Sequence, residues 1–272
     1  MRELVSLGFR IVELAGARRA DAVPVLLLHG FAGRAESWRA VAAATSAAGA
    51  LFAVDLPGHG PVSPVDPRGG FAGALDALAR ALLALHRGPW HLAGYSMGAR
   101  VALALAARAF PAATLTLVGA HPGLATTGER DERCREDGRW IRLLREQGIA
   151  AFVAAWEARP LFASQSALPA EALDEQRRLR SSHDPDRLAG ALETLGLGAM
   201  PDCRPALPRI AVPVALVAGE RDAKFLGIAR SMLPQLARGQ LFVAPGAGHN
   251  VPLERPSAVA ALVNAAAGNG VR

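Results

Sequence analysis

Three residue types that together can activate a hydroxyl stand in suggestive places along this chain. Ser96 lies in Gly94-Tyr95-Ser96-Met97-Gly98, His249 in Pro245-Gly246-Ala247-Gly248-His249-Asn250, and an acidic pair, Glu220 and Asp222, lies between them in Gly219-Glu220-Arg221-Asp222. A serine hydroxyl is a weak base and a weak nucleophile until an imidazole takes its proton, and the imidazole needs a carboxylate to fix its tautomer. A small residue on each side of the serine is what a sharp strand-to-helix turn requires, and that turn would leave the Ser96 hydroxyl exposed at a helix N-terminus. A serine that merely caps a helix would give the same five residues. Asp222 lies in the short turn after an apolar run and is the expected acid; Glu220 is its rival, and the sequence leaves both open. Negative charge developing on a substrate oxygen needs backbone N–H donors, for which Phe31, after His29-Gly30, and Met97 are placed. His29 is expected to brace its loop, and Asp55 and His59 to shape the turn in which they lie. His86, His91 and His183 have no comparable setting and are read as surface or boundary residues.

The elements that must hold these groups follow from the hydrophobic pattern. Apolar runs alternate with amphipathic segments, as expected for strand-helix-strand units around a largely parallel sheet. Leu4–Leu14 reads as an early edge strand, and Pro24–Leu28, Leu51–Val54, His91–Gly94 and Leu115–Val118 as strands. Helices are predicted over Ser37–Ala47, Phe71–His86 and Met97–Phe110. From about His121 to Leu207 the pattern turns charged and helical, with no run suited to a central strand. Strand pattern then resumes at Val212–Ala218 and Leu241–Val243, with helices over Ala223–Leu236 and Ser257–Ala267. The expected architecture is an α/β-hydrolase fold, a mostly parallel sheet flanked by helices with a helical lid insertion. Residues 1–120 form the first part of the core, 121–207 the lid and 208–272 the second part.

Composition narrows the partners. With 51% hydrophobic residues and a mean hydropathy of +0.21, the chain has enough apolar material for a core. Its start lacks a continuous apolar signal and no stretch is long enough without charge to span a bilayer, so a cytoplasmic protein with no membrane insertion is expected. A net charge of +6 invites nucleic acid, yet the arginines are dispersed and no basic stripe interleaved with aromatics appears, so a small polyanionic substrate fits better. Cys134 and Cys203 have neither metal-ligand nor disulfide spacing and read as packing residues; no metal and no cofactor is expected. Monomer and homo-oligomer both remain open. Arg100 lies one helical turn beyond Ser96 in an otherwise apolar segment, where a charge wants a partner, and a carboxylate held over Ser96 would supply one.

Longer motifs carry a more specific message. They are His29-Gly30-Phe31 with Trp38; Asp55 to Gly60; Gly94 to Arg100; His121-Pro122-Gly123-Leu124 followed by Glu129-Arg130 and Arg133; Trp156 with Pro160 to Ser164; Leu179-Arg180-Ser181; Gly219 to Phe225; and Gly246 to Asn250. In these pieces, over nearly its whole length, the chain resembles the 2-succinyl-6-hydroxy-2,4-cyclohexadiene-1-carboxylate synthases of menaquinone biosynthesis, members of the α/β-hydrolase superfamily. The resemblance implies a cofactor-free lyase that eliminates pyruvate from 2-succinyl-5-enolpyruvyl-6-hydroxy-3-cyclohexene-1-carboxylate. Ser96, deprotonated by His249 and Asp222, would abstract a ring proton, and the Phe31 and Met97 N–H groups would hold the developing oxyanion. The substrate carries three carboxylates, which planar guanidinium groups suit. The resemblance assigns their recognition to Arg100, Arg133 and Arg180, with Tyr95, Trp156 and Lys224 adding a hydroxyl, an aromatic wall and a rim cation. Two departures stand out: Ala99 replaces a frequent second glycine, and Val251-Pro252-Leu253 carries a stiffening proline. A serine esterase or C–C bond hydrolase acting on a small anion, and a non-catalytic ligand-binding protein, are the alternatives on the same fold.

Overall fold

The computed structural model describes residues 1–63 and 66–268, so the last four residues of the second core segment lie outside the description. Eight strands, β1 (Arg2–Ser6), β2 (Phe9–Ala15), β3 (Val25–Leu28), β4 (Leu51–Val54), β5 (Trp90–Tyr95), β6 (Ala112–Val118), β7 (Val214–Gly219) and β8 (Gly239–Ala244), form one sheet in the order β1-β2-β4-β3-β5-β6-β7-β8. β1 and β2 pair antiparallel, as do β2 and β4; every other pairing is parallel. Strands covered on both faces need apolar residues at every position, and Val25–Leu28 are all fully buried.

Helices cover both faces. On one, α2 (Gly70–Leu85), α3 (Met97–Ala107) and α7 (Ala223–Met232) pack with the central strands into a cluster that includes Leu78, Leu92, Leu103 and Met232. On the other, α1 (Arg39–Ala44), α8 (Val251–Glu254) and α9 (Pro256–Gly268) contribute Val41, Val251 and Val259 to a second cluster. Between β6 and β7 the chain inserts α4 (Thr127–Glu157), α5 (Ala170–Ser181) and α6 (Pro185–Leu195). α4 starts on a capping box, with Glu129 N–H donating to Thr126 Oγ1 and Thr126 N–H to Glu129 Oε2. It is broken at Gly148, which lies at φ 78°. The insertion has its own apolar cluster of Leu144, Phe152, Trp156, Phe162 and Leu188, which packs on Phe31 and Ala32 of the turn after β3.

Two predicted elements are corrected. Leu4–Leu14 is not one strand but the β1/β2 hairpin, because the chain reverses at Leu7-Gly8, both at positive φ. The helix expected over 37–47 begins as a 3₁₀ turn at Ala35–Trp38 and ends at Ala44, since Gly49 runs against the Val23 backbone and the chain must extend to enter β4.

Candidate active site

Ser96 ends β5 and begins α3 with φ 52° and ψ −107°, a conformation that L residues avoid and that the surrounding contacts impose. Those contacts require glycines on both sides. A Cβ on Gly98 would lie 2.0 Å from Leu28 O, and one on Gly94 would lie 2.4 Å from Gly98 O. Ser96 N–H is held by Val118 O at 2.8 Å. The hydroxyl therefore points away from the sheet, where His249 meets it.

His249 Nδ1–H donates to Asp222 Oδ2 at 2.6 Å, and with that proton fixed Nε2 is the acceptor for the Ser96 hydroxyl at 3.1 Å. Both partners are buried, at 3% exposure for His249 and 7% for Asp222. Asp222 caps α7, its Oδ1 accepting from Phe225 N–H, while the Phe225 ring packs on His249 at 4.3 Å. Glu220 faces elsewhere and accepts from Gly246 N–H at 2.8 Å. The geometry thus joins Asp222, not Glu220, to the imidazole. The Met97 N–H opens α3, where it has no intrahelical acceptor, and Phe31 N–H has no acceptor among the described residues.

The loop carrying Phe31 is braced by imidazoles. Ala32 N–H donates to His59 Nε2 and Leu56 N–H to His29 Nε2, while the Nδ1 atoms face Pro57 O and Gly30 O. Each ring is thus neutral with its proton on Nδ1, and burial above all lowers both pKa values. His183 joins them. Its ring meets that of His59 edge-on at 5.3 Å, and its Nδ1 accepts from Gly60 N–H. The expectation of a surface or boundary position is corrected for His183 and for His91, whose Nδ1 shares a hydrogen bond with Thr114 Oγ1; both rings are buried, each with its Nδ1 bonded to a polar group inside the fold. Behind the loop, Arg10 on β2 binds Glu36 and Asp55, an ion cluster that the sequence pattern hid inside an apolar strand. Cys203 is buried, but Cys134 is exposed on α4 rather than packed.

The predicted binding cations fall into two groups. Arg100, 8% exposed, donates to Leu195 O at the C-terminus of α6, and burial first, then the charge of Arg133, lowers its pKa, with Asp137 opposing. Arg133 donates to Asp137 Oδ1 at 2.9 Å. Arg180 lies apart from these two, bonded to Glu157 at 3.1 Å and lying over the Phe162 ring. With Tyr95, Gln176 and Asn250 it lines a cavity of about 210 Å³. Burial raises the pKa of Tyr95, and the charge of Arg180 opposes this. Trp156 is enclosed by Phe31, Trp140, Phe152 and Phe162, and its Nε1 is buried without an acceptor among the described residues. Lys224 is exposed, its ammonium 6.0 Å from the centre of the Phe225 ring that packs on His249.

Known proteins resemble this chain in sequence and in fold. A family model described as "Alpha/beta hydrolase family" matches residues 25–262. A protein of Salmonella agona (strain SL483) named 2-succinyl-6-hydroxy-2,4-cyclohexadiene-1-carboxylate synthase is 36% identical over 236 residues, covering 86% of this chain and 90% of that protein. The structure of MenH from S. aureus matches with a TM-score of 0.88 at 31% identity, over 95% of this chain and 97% of that one. An enol-lactonase from Burkholderia xenovorans LB400, at 22% identity and a TM-score of 0.80 over 97% and 99% of the two chains, shares the fold.

Proposed function

The chain belongs to the α/β-hydrolase family and, within it, to the 2-succinyl-6-hydroxy-2,4-cyclohexadiene-1-carboxylate synthases, and from that premise we propose that Ser96 is the base of its pyruvate-eliminating reaction. The enzyme is a lyase of menaquinone biosynthesis. Ser96 gives its proton to His249 Nε2 as it takes the ring proton next to the succinyl carbonyl, and Asp222 stabilises the imidazolium that results. The electrons freed at that carbon first load the carbonyl oxygen, towards which the Phe31 and Met97 N–H groups are directed, and then shift through the ring double bond. The carbon–oxygen bond to the enolpyruvyl arm breaks, and the departing enolate takes up a proton to give pyruvate. Water is not consumed.

The observation that carries this reading is the assembled Ser96–His249–Asp222 chain of hydrogen bonds with a buried arginine, Arg100, one turn along the same helix and bonded, among the described residues, only to a carbonyl. A guanidinium in that position suits a substrate carboxylate above Ser96. Arg133 and Arg180 are proposed to exchange Asp137 and Glu157 for substrate carboxylates, and the inserted helices to act as a lid. The Tyr95 hydroxyl is an uncharged group near the elbow, Trp156 an aromatic wall of the lid and Lys224 the cation at the pocket rim. A cytoplasmic setting is part of the proposal: no helix among the described residues is long and apolar enough to cross a membrane.

The test is release of pyruvate from the enolpyruvyl substrate, generated in place, by wild type, Ser96→Ala and Arg100→Ala. Enzyme-dependent release that collapses in both variants is expected. Full activity in Ser96→Ala would remove the serine from the chemistry.

A further inference from the structure

His121-Pro122-Gly123-Leu124 comes shortly after β6, and none of its side chains belongs to the triad. β6 nevertheless delivers it to the site. Tyr95 pairs with Val118 in the sheet, and Gly119 passes against the triad histidine, since a Cβ there would lie 2.9 Å from His249 Cε1. His121 comes two residues later. The turn it opens is closely built: Gly123 lies at φ 104°, a Cβ on it would lie 2.5 Å from Pro201 O, and Cys203 N–H donates to Pro122 O at 2.7 Å.

This backbone fixes the imidazole. Gly123 N–H donates to His121 Nδ1 at 3.1 Å, so Nδ1 carries no proton and the ring's hydrogen is on Nε2. Nε2 has no partner among the described residues and is not sealed off by protein. Burial, then the charges of Arg100, Lys224, Arg204 and Arg133, push the His121 pKa down to about 4, so the ring is neutral at ordinary pH. Two of these cations have carboxylate partners: Asp137 is bonded to Arg133, and Asp202 to Arg204 Nε at 2.8 Å, while Arg204 Nη2 is buried without an acceptor among the described residues. Four cations, two acids and a free neutral donor make a place for one more anion.

We propose that His121 is a specificity-determining residue whose Nε2–H donates to a substrate carboxylate that Arg100 and Arg133 also hold, on the β6 side of Ser96. The proposal rests on the elimination reading and divides that substrate's carboxylates between this subsite and the separate place at Arg180. A neutral donor suits the position, because it adds a hydrogen bond without adding a fifth positive charge.

The experiment is steady-state pyruvate release by wild type, His121→Asn and His121→Gln, with thermal unfolding of each. The Asn Oδ1 lies where Nδ1 lies and keeps the bond from Gly123 N–H but loses the Nε2 donor; the Gln amide does the reverse. Binding through Nε2 predicts a KM raised about tenfold in His121→Asn with kcat within about threefold, and near wild-type KM in His121→Gln. A purely structural histidine gives the opposite order, with Gln the worse variant, and that order would overturn the proposal, as would an unchanged KM in both. Wild type that releases no pyruvate would instead overturn the elimination reading beneath it.

Discussion

On the sheet side of Ser96, the reacting groups are already joined: His249 bridges Ser96 and Asp222 at 3.1 and 2.6 Å, and His29 and His59 hold the Phe31 turn through fixed tautomers. On the side of the inserted helices, the arginines proposed to bind substrate are occupied by the protein's own acceptors. Arg133 is on Asp137, Arg180 on Glu157 and Arg100 on the Leu195 carbonyl. The contrast teaches a division of labour. Groups that move protons are preorganised by strands and by a strained elbow, where placement matters most. Groups proposed to recognise carboxylates rest on the protein's own acceptors, which a trianionic substrate would replace.

Breaking the preorganised side has the largest expected effect. Ser96→Ala and His249→Ala should each lower kcat by about a thousandfold or more while the melting temperature stays near that of wild type, measured by pyruvate release and thermal unfolding. Asp222→Asn should cost about a hundredfold to ten-thousandfold, because the amide no longer fixes the imidazole tautomer. Arg100→Ala tests the other side. It should lower kcat/KM by about ten- to a hundredfold, the range for a lost hydrogen bond to a charged group, and mainly through KM.

Stability against pH sharpens the contrast without touching turnover. Burial lowers the pKa values of His29, His59 and His183, the last from 6.5 to about 4. As pH falls below 6.5, the unfolded chain binds protons that the folded chain resists. The stability these rings contribute is therefore present above about 6.5 and lost as pH falls towards 4. The melting temperature should drop by about 5–10 °C between pH 7 and pH 5. A flat profile would show that the imidazole brace does not depend on neutral rings. The smallest effect is expected from Glu220→Gln, whose rate should stay within about twofold of wild type, since its carboxylate accepts from a turn N–H away from His249.

Much of this was legible in the sequence because it depends on local chemistry. Gly94 and Gly98 around Ser96, the apolar runs on either side, and Asp222 just past β7 reflect steric needs that only a few residue types satisfy. The choice between Asp222 and Glu220 was not legible, because two acids two residues apart differ only in where β7 aims them. His183 and Arg10 were also hidden: their partners, Gly60 and the Glu36–Asp55 pair, are far away in sequence, and nothing local marks a histidine or an arginine as buried. Arg100 was visible as a charge in an apolar helix, yet its resting partner at the end of α6 was not. His121 stood within a motif that marked the family, but only the Gly123 N–H bond reveals which of its nitrogens is free.

The most direct measurement follows pyruvate and the conjugated diene of the ring product together in one reaction, with wild type and Ser96→Ala. Elimination with Ser96 as base predicts equal amounts of both products from wild type and almost none from Ser96→Ala. Pyruvate without the diene, or both products from Ser96→Ala at the wild-type rate, would contradict the account.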